Sequence, residues 1–257
     1  MAQKERIEQI RTIVRDKERV VVSELSKQFH VTEETIRRDL EKLEAQGLVT
    51  RTFGGAILNG RNTSARTSYA QRTQMHVSEK KAIARIAASL VPKHRCVLGA
   101  DSSSTVFETV YLLKGQENLL LMTYAANILQ ELVDADMRIM STGGLFNKES
   151  HSFMGVITRN TIQAYNTDIL LISCKGLSID GGLYDSDENE ADIKQLMATK
   201  AAKIILLVDH SKFDNVAFAK LMDLEDIDVL VTDRLPSDLW MEALTTAGVQ
   251  VLCPELV

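Results

Sequence analysis

Apolar positions in the first part of the chain recur at helical spacing and then give way to short β-prone runs. In "KERIEQIRTIVRDK", Ile7, Ile10, Ile13 and Val14 share one face with Arg6 and Arg11 between them, which predicts an amphipathic first helix. "VVVSELSKQFHV" reads as a short strand and a second helix capped by Ser23, with Leu25 and Phe29 buried. In "VTEETIRRDLEKLEAQGLVTRTFGG", Thr32 caps a third helix with an apolar stripe of Ile36, Leu40 and Leu43, and Glu33 and Glu34 suit the positive end of its dipole. Gly47 ends that helix, and "LVTRTFGGAIL" reads as a hairpin broken at Gly54 and Gly55. Three helices and a hairpin over residues 1–58 predict a winged helix-turn-helix.

The next stretch, "NGRNTSARTSYAQRTQMHVS", is polar and has no sustained apolar period, so residues 59–77 read as a linker, with Ser78 capping the helix that follows. From residue 78 to 257, helical patterns alternate with the apolar runs "CVLGA", "LLLMT", "RIMST", "DILLISC", "KIILLVD", "DVLVTD" and "VQVL". Strands that are apolar on both faces and separated by helices imply an α/β domain with a mostly parallel sheet. Ligands of such sheets bind at the carboxyl ends of the strands. Polar residues gather at those ends, in "GADSSST", "MTYAAN", "STGGLFNKES", "SCKGLS" and "VDHSKF".

Charge changes this picture more than composition does. The chain of 257 residues carries a net charge of −5, but residues 1–72 hold 14 Lys and Arg against 10 Asp and Glu, so a basic module precedes an acidic one. The three cysteines, Cys96, Cys174 and Cys253, are far apart and form no C-x-x-C pair, which supports neither a disulfide scaffold nor a thiolate metal site. The apolar runs are too short to span a bilayer and the N-terminus has no apolar signal core, so a cytoplasmic protein is expected.

Two sets of residues carry candidate chemistry. Thr35, Arg37 and Arg38 lie off the apolar face of the third helix, suited to base edges and phosphates, and Arg51 and Phe53 on the wing would reach the backbone or minor groove. A basic helix alone is as often a solvated face, and Asp39 is better suited to pairing with an arginine than to meeting DNA. In the second set, "DSSST" precedes a helix, so Asp101, Ser102, Ser103, Ser104 and Thr105 bring hydroxyls and free N–H groups to one helix start. Taken alone, that loop reads more simply as a helix cap with spare serines. Lys175 and Lys212 end two further strands at the same expected edge, which tilts the balance toward an anionic ligand. The run "DSDENEAD" fails the EF-hand spacing and reads as a solvated helix start, and the five histidines lack paired metal-ligand spacing. No metal or cofactor is expected.

Thr32 followed by "TIRRDL" and "LEAQGLVTRTFGGA", together with Arg6 and Ile10, resembles the helix-turn-helix signature of the DeoR family of bacterial sugar-metabolism repressors. The resemblance extends across the whole chain. It implies a C-terminal sensor similar in fold to ribose-phosphate isomerases and coenzyme A transferases, responding to a phosphorylated sugar or related metabolite. It also places Asp101 to Thr105, Thr123, Tyr124, Thr142, Gly143, Gly144, Lys175, Glu188, Lys194 and Lys212 around the effector. The chain departs from the family pattern at Tyr124, where asparagine is common, and at "SCKG". The expected partners are double-stranded operator DNA, a small anionic metabolite and further copies of the chain, as a dimer or tetramer. The alternative from another class is an isomerase-like enzyme carrying a DNA-binding module, but no spacing here identifies a complete acid–base set.

Overall fold

The computed structural model describes residues 3–17, 19–45, 49–52, 54–58 and 69–256. Its N-terminal part contains α1 (Gln3–Lys17), β1 (Arg19–Val21), α2 (Val22–Phe29), α3 (Glu33–Ala45), β2 (Val49–Thr52) and β3 (Gly55–Leu58). The three strands form an antiparallel sheet in the order β1-β3-β2. Ile10, Val14, Leu25, Ile36, Leu40 and Leu43 close a core of their own beneath it, as the apolar spacing predicts. One glycine of the wing pair has a steric reason: any Cβ on Gly55 would overlap the Val20 carbonyl where β3 crosses β1. Gly47 and Phe53 lie outside the described residues.

The helix starts differ from expectation in two places. The residue at the cap position of α2 is Val21 rather than Ser23, which sits inside the first turn, and α5 is preceded by His76 in the left-handed region rather than by Ser78. The stretch read as a linker contains α4 (Tyr69–Gln74), which leads into α5 (Val77–Leu90).

The remaining elements are β4 (Cys96–Ala100), α6 (Ser104–Leu112), β5 (Leu119–Thr123), α7 (Ala126–Glu131), β6 (Arg138–Ser141), β7 (Leu145–Asn147), β8 (Ser152–Met154), α8 (Val156–Ala164) and β9 (Ile169–Ile172). They continue through β10 (Gly176–Ser178), β11 (Gly182–Asp185), α9 (Glu188–Ala198), β12 (Ile204–Leu207), β13 (Ala219–Met222), β14 (Val229–Val231), α10 (Asp238–Thr246) and β15 (Gln250–Leu252). The seven apolar runs become one seven-stranded sheet, in the order β15-β14-β12-β9-β4-β5-β6, with every pairing parallel. Alternate residues of β9 serve opposite faces: Leu170 and Ile172 join one core, Ile169 and Leu171 the other. From β4 the connections run outward to β5 and β6, and from β9 they run the opposite way, so the strand order reverses between β4 and β9. Such a switch point opens a crevice at the carboxyl ends of the two strands. Two small antiparallel units, β7-β8 and β10-β11-β13, lie outside the main sheet.

In the N-terminal core one ion pair ties the first helix to the third. Arg6 Nε donates to Asp39 Oδ2 at 2.6 Å, and both residues are buried. Removing one partner of a buried pair leaves the other charge without compensation, at about 3 to 5 kcal/mol. Arg6→Ala should therefore lower the stability of this module by that amount in urea unfolding of the full chain, leaving the transition of the α/β part in place; an unchanged first transition would show that the pair is not the clamp.

Candidate functional site

On α3, Thr32 holds the helix start by accepting the Thr35 backbone N–H at 3.3 Å. Arg37 and Arg38 point outward and pair with Glu33 and Glu34 one turn earlier, at 3.4 and 3.3 Å. Exposed pairs of this spacing are worth only about 0.3 to 0.5 kcal/mol, so both guanidinium groups can exchange their glutamates for phosphates or base edges at little cost. Arg51 is held differently. It bonds Glu41 and Glu44, each at 2.9 Å, and so fastens the wing strand β2 to α3. Ser23 is exposed on α2.

At the switch point, Asp101 follows β4 and its carboxylate accepts the backbone N–H groups of Ser103 and Ser173, each at 2.8 Å, joining the loops after β4 and β9. Lys194, projecting from α9, donates to the Ser173 carbonyl and to Asp185 Oδ2, both at 2.8 Å, and lies 3.1 Å from Asp101 Oδ2. Burial alone would favour the neutral amine, but Asp101, Asp185 and Glu190 outweigh it and hold the ammonium charged well above its ordinary range. Glu190, one helical turn away, accepts hydroxyl bonds from Ser102 (2.8 Å), Tyr124 (2.9 Å) and Ser152 (2.6 Å). The cluster is buried and internally satisfied, and it forms the floor of a cavity of about 480 Å³.

The cavity walls come from Ser102 and Ser103, from the β7-β8 turn with Asn147 to His151, from Lys175, from Asp185 to Asp187, and from α4 with Tyr69 and Arg72. Ser103 also caps α6 by accepting the Val106 N–H. Besides Lys148 on the β7-β8 turn, the walls carry Arg72 and Lys175, neither of which is in ion-pair contact with a carboxylate among the described residues. Arg72 Nε and Nη2 are buried with no hydrogen-bond partner, and no carboxylate pairs with Lys175 among the described residues. Burial, and then the nearby Arg72 charge, push the Lys175 amine down to about 7. Two unpaired basic groups facing one cavity create a place for an anion.

The sequence-expected effector residues divide accordingly. Asp101, Ser102, Ser103, Lys175 and Lys194 are brought together at the cavity or directly beneath it. Ser104 and Thr105 are buried in the first turn of α6, and the Thr123 hydroxyl donates to the Ala100 carbonyl. Tyr124 is fully buried and meets the cavity through Glu190 and Ser102 rather than lining it. Thr142, Gly143 and Gly144 turn toward α8, where Thr158 donates to the Gly143 carbonyl. Glu188 starts α9 facing solvent, and Lys212 lies 3.9 Å from Asp209, away from the cavity lining. The acidic run read as a solvated helix start is largely buried: Asp185, Asp187 and Glu190 face the cavity, because Lys194 supplies the counter-charge. Tyr69 and Arg72 went unrecognised because a six-residue polar helix has no apolar period to signal it. Among the described residues no His, Cys, Asp or Glu group is arranged to hold a metal, and no helix is long and apolar enough to cross a membrane.

Residues 6–62 match the family description "DeoR-like helix-turn-helix domain", and residues 75–234 match "DeoR C terminal sensor domain". The chain is 32% identical to the HTH-type transcriptional repressor GlcR of Bacillus subtilis, over 99% of this chain and 98% of that one. It is 31% identical to the glycerol-3-phosphate regulon repressor of Escherichia coli K12, over 98% of this chain and all of that protein. Among solved structures it is similar to ribose 5-phosphate isomerase A from Methanocaldococcus jannaschii, with a TM-score of 0.38 and 15% identity, covering 52% of this chain and 53% of that one.

The Lys175 value has a definite sign for stability. The folded-state value lies below the ordinary 10.5, so the unfolded chain binds more protons between about 7 and 10.5. The half-buried Lys175 charge therefore destabilises the protein fully below about pH 7, and the penalty is lifted as pH rises toward 10.5. Lys175→Met should raise the melting temperature of the ligand-free protein, with a gain that is constant below neutrality and shrinks on the alkaline side. A melting temperature unchanged by the substitution at mildly acid pH would contradict the unpaired charge.

Proposed function

The chain belongs to the DeoR family of transcriptional regulators, and from that premise we propose that it represses a carbohydrate-utilisation operon and that a phosphorylated sugar or related metabolite alters its hold on the operator. Family membership makes it a regulator and not an enzyme. The observation that carries the effector reading is Arg72, with two buried nitrogens lacking a hydrogen-bond partner, beside Lys175 in a cavity at the sheet's switch point. A phosphate dianion would neutralise both, while the hydroxyls of Ser102 and Ser103 and the carboxylates of Asp185, Asp187 and Glu190 offer partners for sugar hydroxyls. The name of the E. coli K12 relative, a regulon repressor for glycerol 3-phosphate, supports a phosphorylated ligand class.

On the DNA side, α3 enters the major groove with Thr35, Arg37 and Arg38 facing it, and the wing residues Arg51 and Phe53 are the candidates for contact with the backbone or minor groove. Ser23, exposed at the start of α2, would lie within reach of a backbone phosphate. The protein works as a homo-oligomer, since one winged helix reads only a short half-site. Residues 1–58 are the DNA-binding module and residues 78–257 the sensor.

Arg37→Ala or Arg38→Ala should weaken operator binding by about 1 to 3 kcal/mol if the side chain reads a base edge. Fluorescence anisotropy with duplex from the chain's own upstream region measures this, and parental affinity in both variants would remove α3 as the recognition helix. On the sensor side, a thermal-shift screen of sugar phosphates against their unphosphorylated sugars should give stabilisation only with the phosphorylated members. Equal shifts from both classes would overturn the anionic-effector reading.

A further inference from the structure

We propose that α4, in the segment joining the DNA-binding module to the sensor, is itself a ligand-binding element: Arg72 shares the bound anion with Lys175, and occupancy of the cavity thereby fixes the connector in place. This rests on the anionic-effector reading above and adds to it the route by which occupancy reaches the DNA module.

The helix has little reason to be ordered on its own. It spans six residues, Tyr69–Gln74, and buries none of them, whereas isolated helices shorter than about 12 residues are marginal even in favourable sequences. Polar contacts at its two ends hold it. At the start, Asn127 Nδ2 donates to the Tyr69 hydroxyl at 2.6 Å, and the Tyr69 ring stacks on His151 at 5.6 Å. At the end, the buried Lys80 ammonium donates to the carbonyls of Arg72 and Met75, capping the last turn from α5. The junction at His76 sits in the left-handed region, with φ of 50°, which is unfavourable for a residue bearing a Cβ.

Between these two attachments, Arg72 pays the cost of burying a guanidinium without a partner. Its Nε and Nη2 are unsatisfied, its cationic carbon lies 5.7 Å from the Tyr69 ring centroid, and its charge adds to that of Lys175. Without an anion between them the Lys175 and Arg72 charges oppose each other, which weakens the hold on the docked α4. An anion between them reverses the sign of that interaction and favours the docked helix. A ligand shifts an equilibrium only by its differential contact with the two states, and Arg72 is a contact that exists only when α4 is docked. Because α4 lies on the chain between β3 and α5, docking or release changes the tether on which the winged helix is carried.

The test is hydrogen exchange by mass spectrometry on the full chain, reading the peptide over residues 69–75 with and without millimolar inorganic phosphate, glycerol 3-phosphate or glucose 6-phosphate. At least one of these probes should slow exchange in that peptide by on the order of tenfold, the range expected for a charge-assisted contact. Arg72→Ala should keep parental exchange in β4 and β9, weaken binding of the same probe by on the order of tenfold, and abolish the slowing; Arg72→Lys should recover part of both. Slowing confined to the Ser102 and Lys175 loops, or parental probe affinity in Arg72→Ala, overturns the role of α4 and leaves the effector reading standing. If no probe binds the parent, the effector reading and the role of α4 fall together.

Discussion

One buried ammonium holds the sensor's working edge together. Lys194 links the loop after β4 through Asp101, the loop after β9 through the Ser173 carbonyl, and the end of β11 through Asp185. These are the two central strands of the parallel sheet and a strand of the separate antiparallel unit. Deleting the ammonium would leave Asp101 and Asp185 buried and uncompensated, a loss on the order of 3 to 5 kcal/mol. The rest of the site is built on that floor: Ser102 and Ser103 are positioned by the Asp101 turn, and Glu190, on the same helix as Lys194, gathers three hydroxyls, two from the loops after β4 and β5 and one from the start of β8.

The contrast between floor and walls gives the site its character. Below, each charge has its partner, and the cluster serves to fix geometry. Above, Lys175 and Arg72 face the cavity with no carboxylate in ion-pair contact among the described residues. The lining mixes these cations with Glu149, Asp185 and Asp187, so charged and polar groups of both signs face one cavity. The DNA face follows a similar economy. Arg37 and Arg38 are parked on exposed glutamates that hold them weakly, whereas Arg6 is locked to Asp39 in the core.

How much of this was legible in the sequence depended on periodicity. All seven strands of the parallel sheet announced themselves as apolar runs; the five inner strands are almost wholly apolar because both faces are covered, and the edge strands β6 and β15 carry polar residues at their ends, Arg138, Ser141 and Gln250. The winged-helix core was equally clear from Ile36, Leu40 and Leu43. The antiparallel unit β10-β11-β13 and the hairpin β7-β8 were not, since their short strands include Gly, Ser, Asn and Asp positions and pair across a fold that local patterns do not encode. Helix α4 was hidden for the opposite reason: it buries no apolar side chain, and its order comes from Asn127 and Lys80, distant in the chain or on the next helix. The acidic run misled because its solvation depends on Lys194, whose direction cannot be read from the local charge pattern. Lys212 misled because its position at a strand end says which edge it occupies but not which way it points.

A crystal structure of the full chain with a bound sugar phosphate tests the central claim most directly. The account predicts the phosphorus atom above the Ser102–Ser103 turn, within salt-bridge distance of both Lys175 Nζ and the Arg72 guanidinium, with α4 docked as described. A phosphate seated elsewhere, against Lys212 or the turn after β6, or bound with α4 displaced from the cavity, would contradict it.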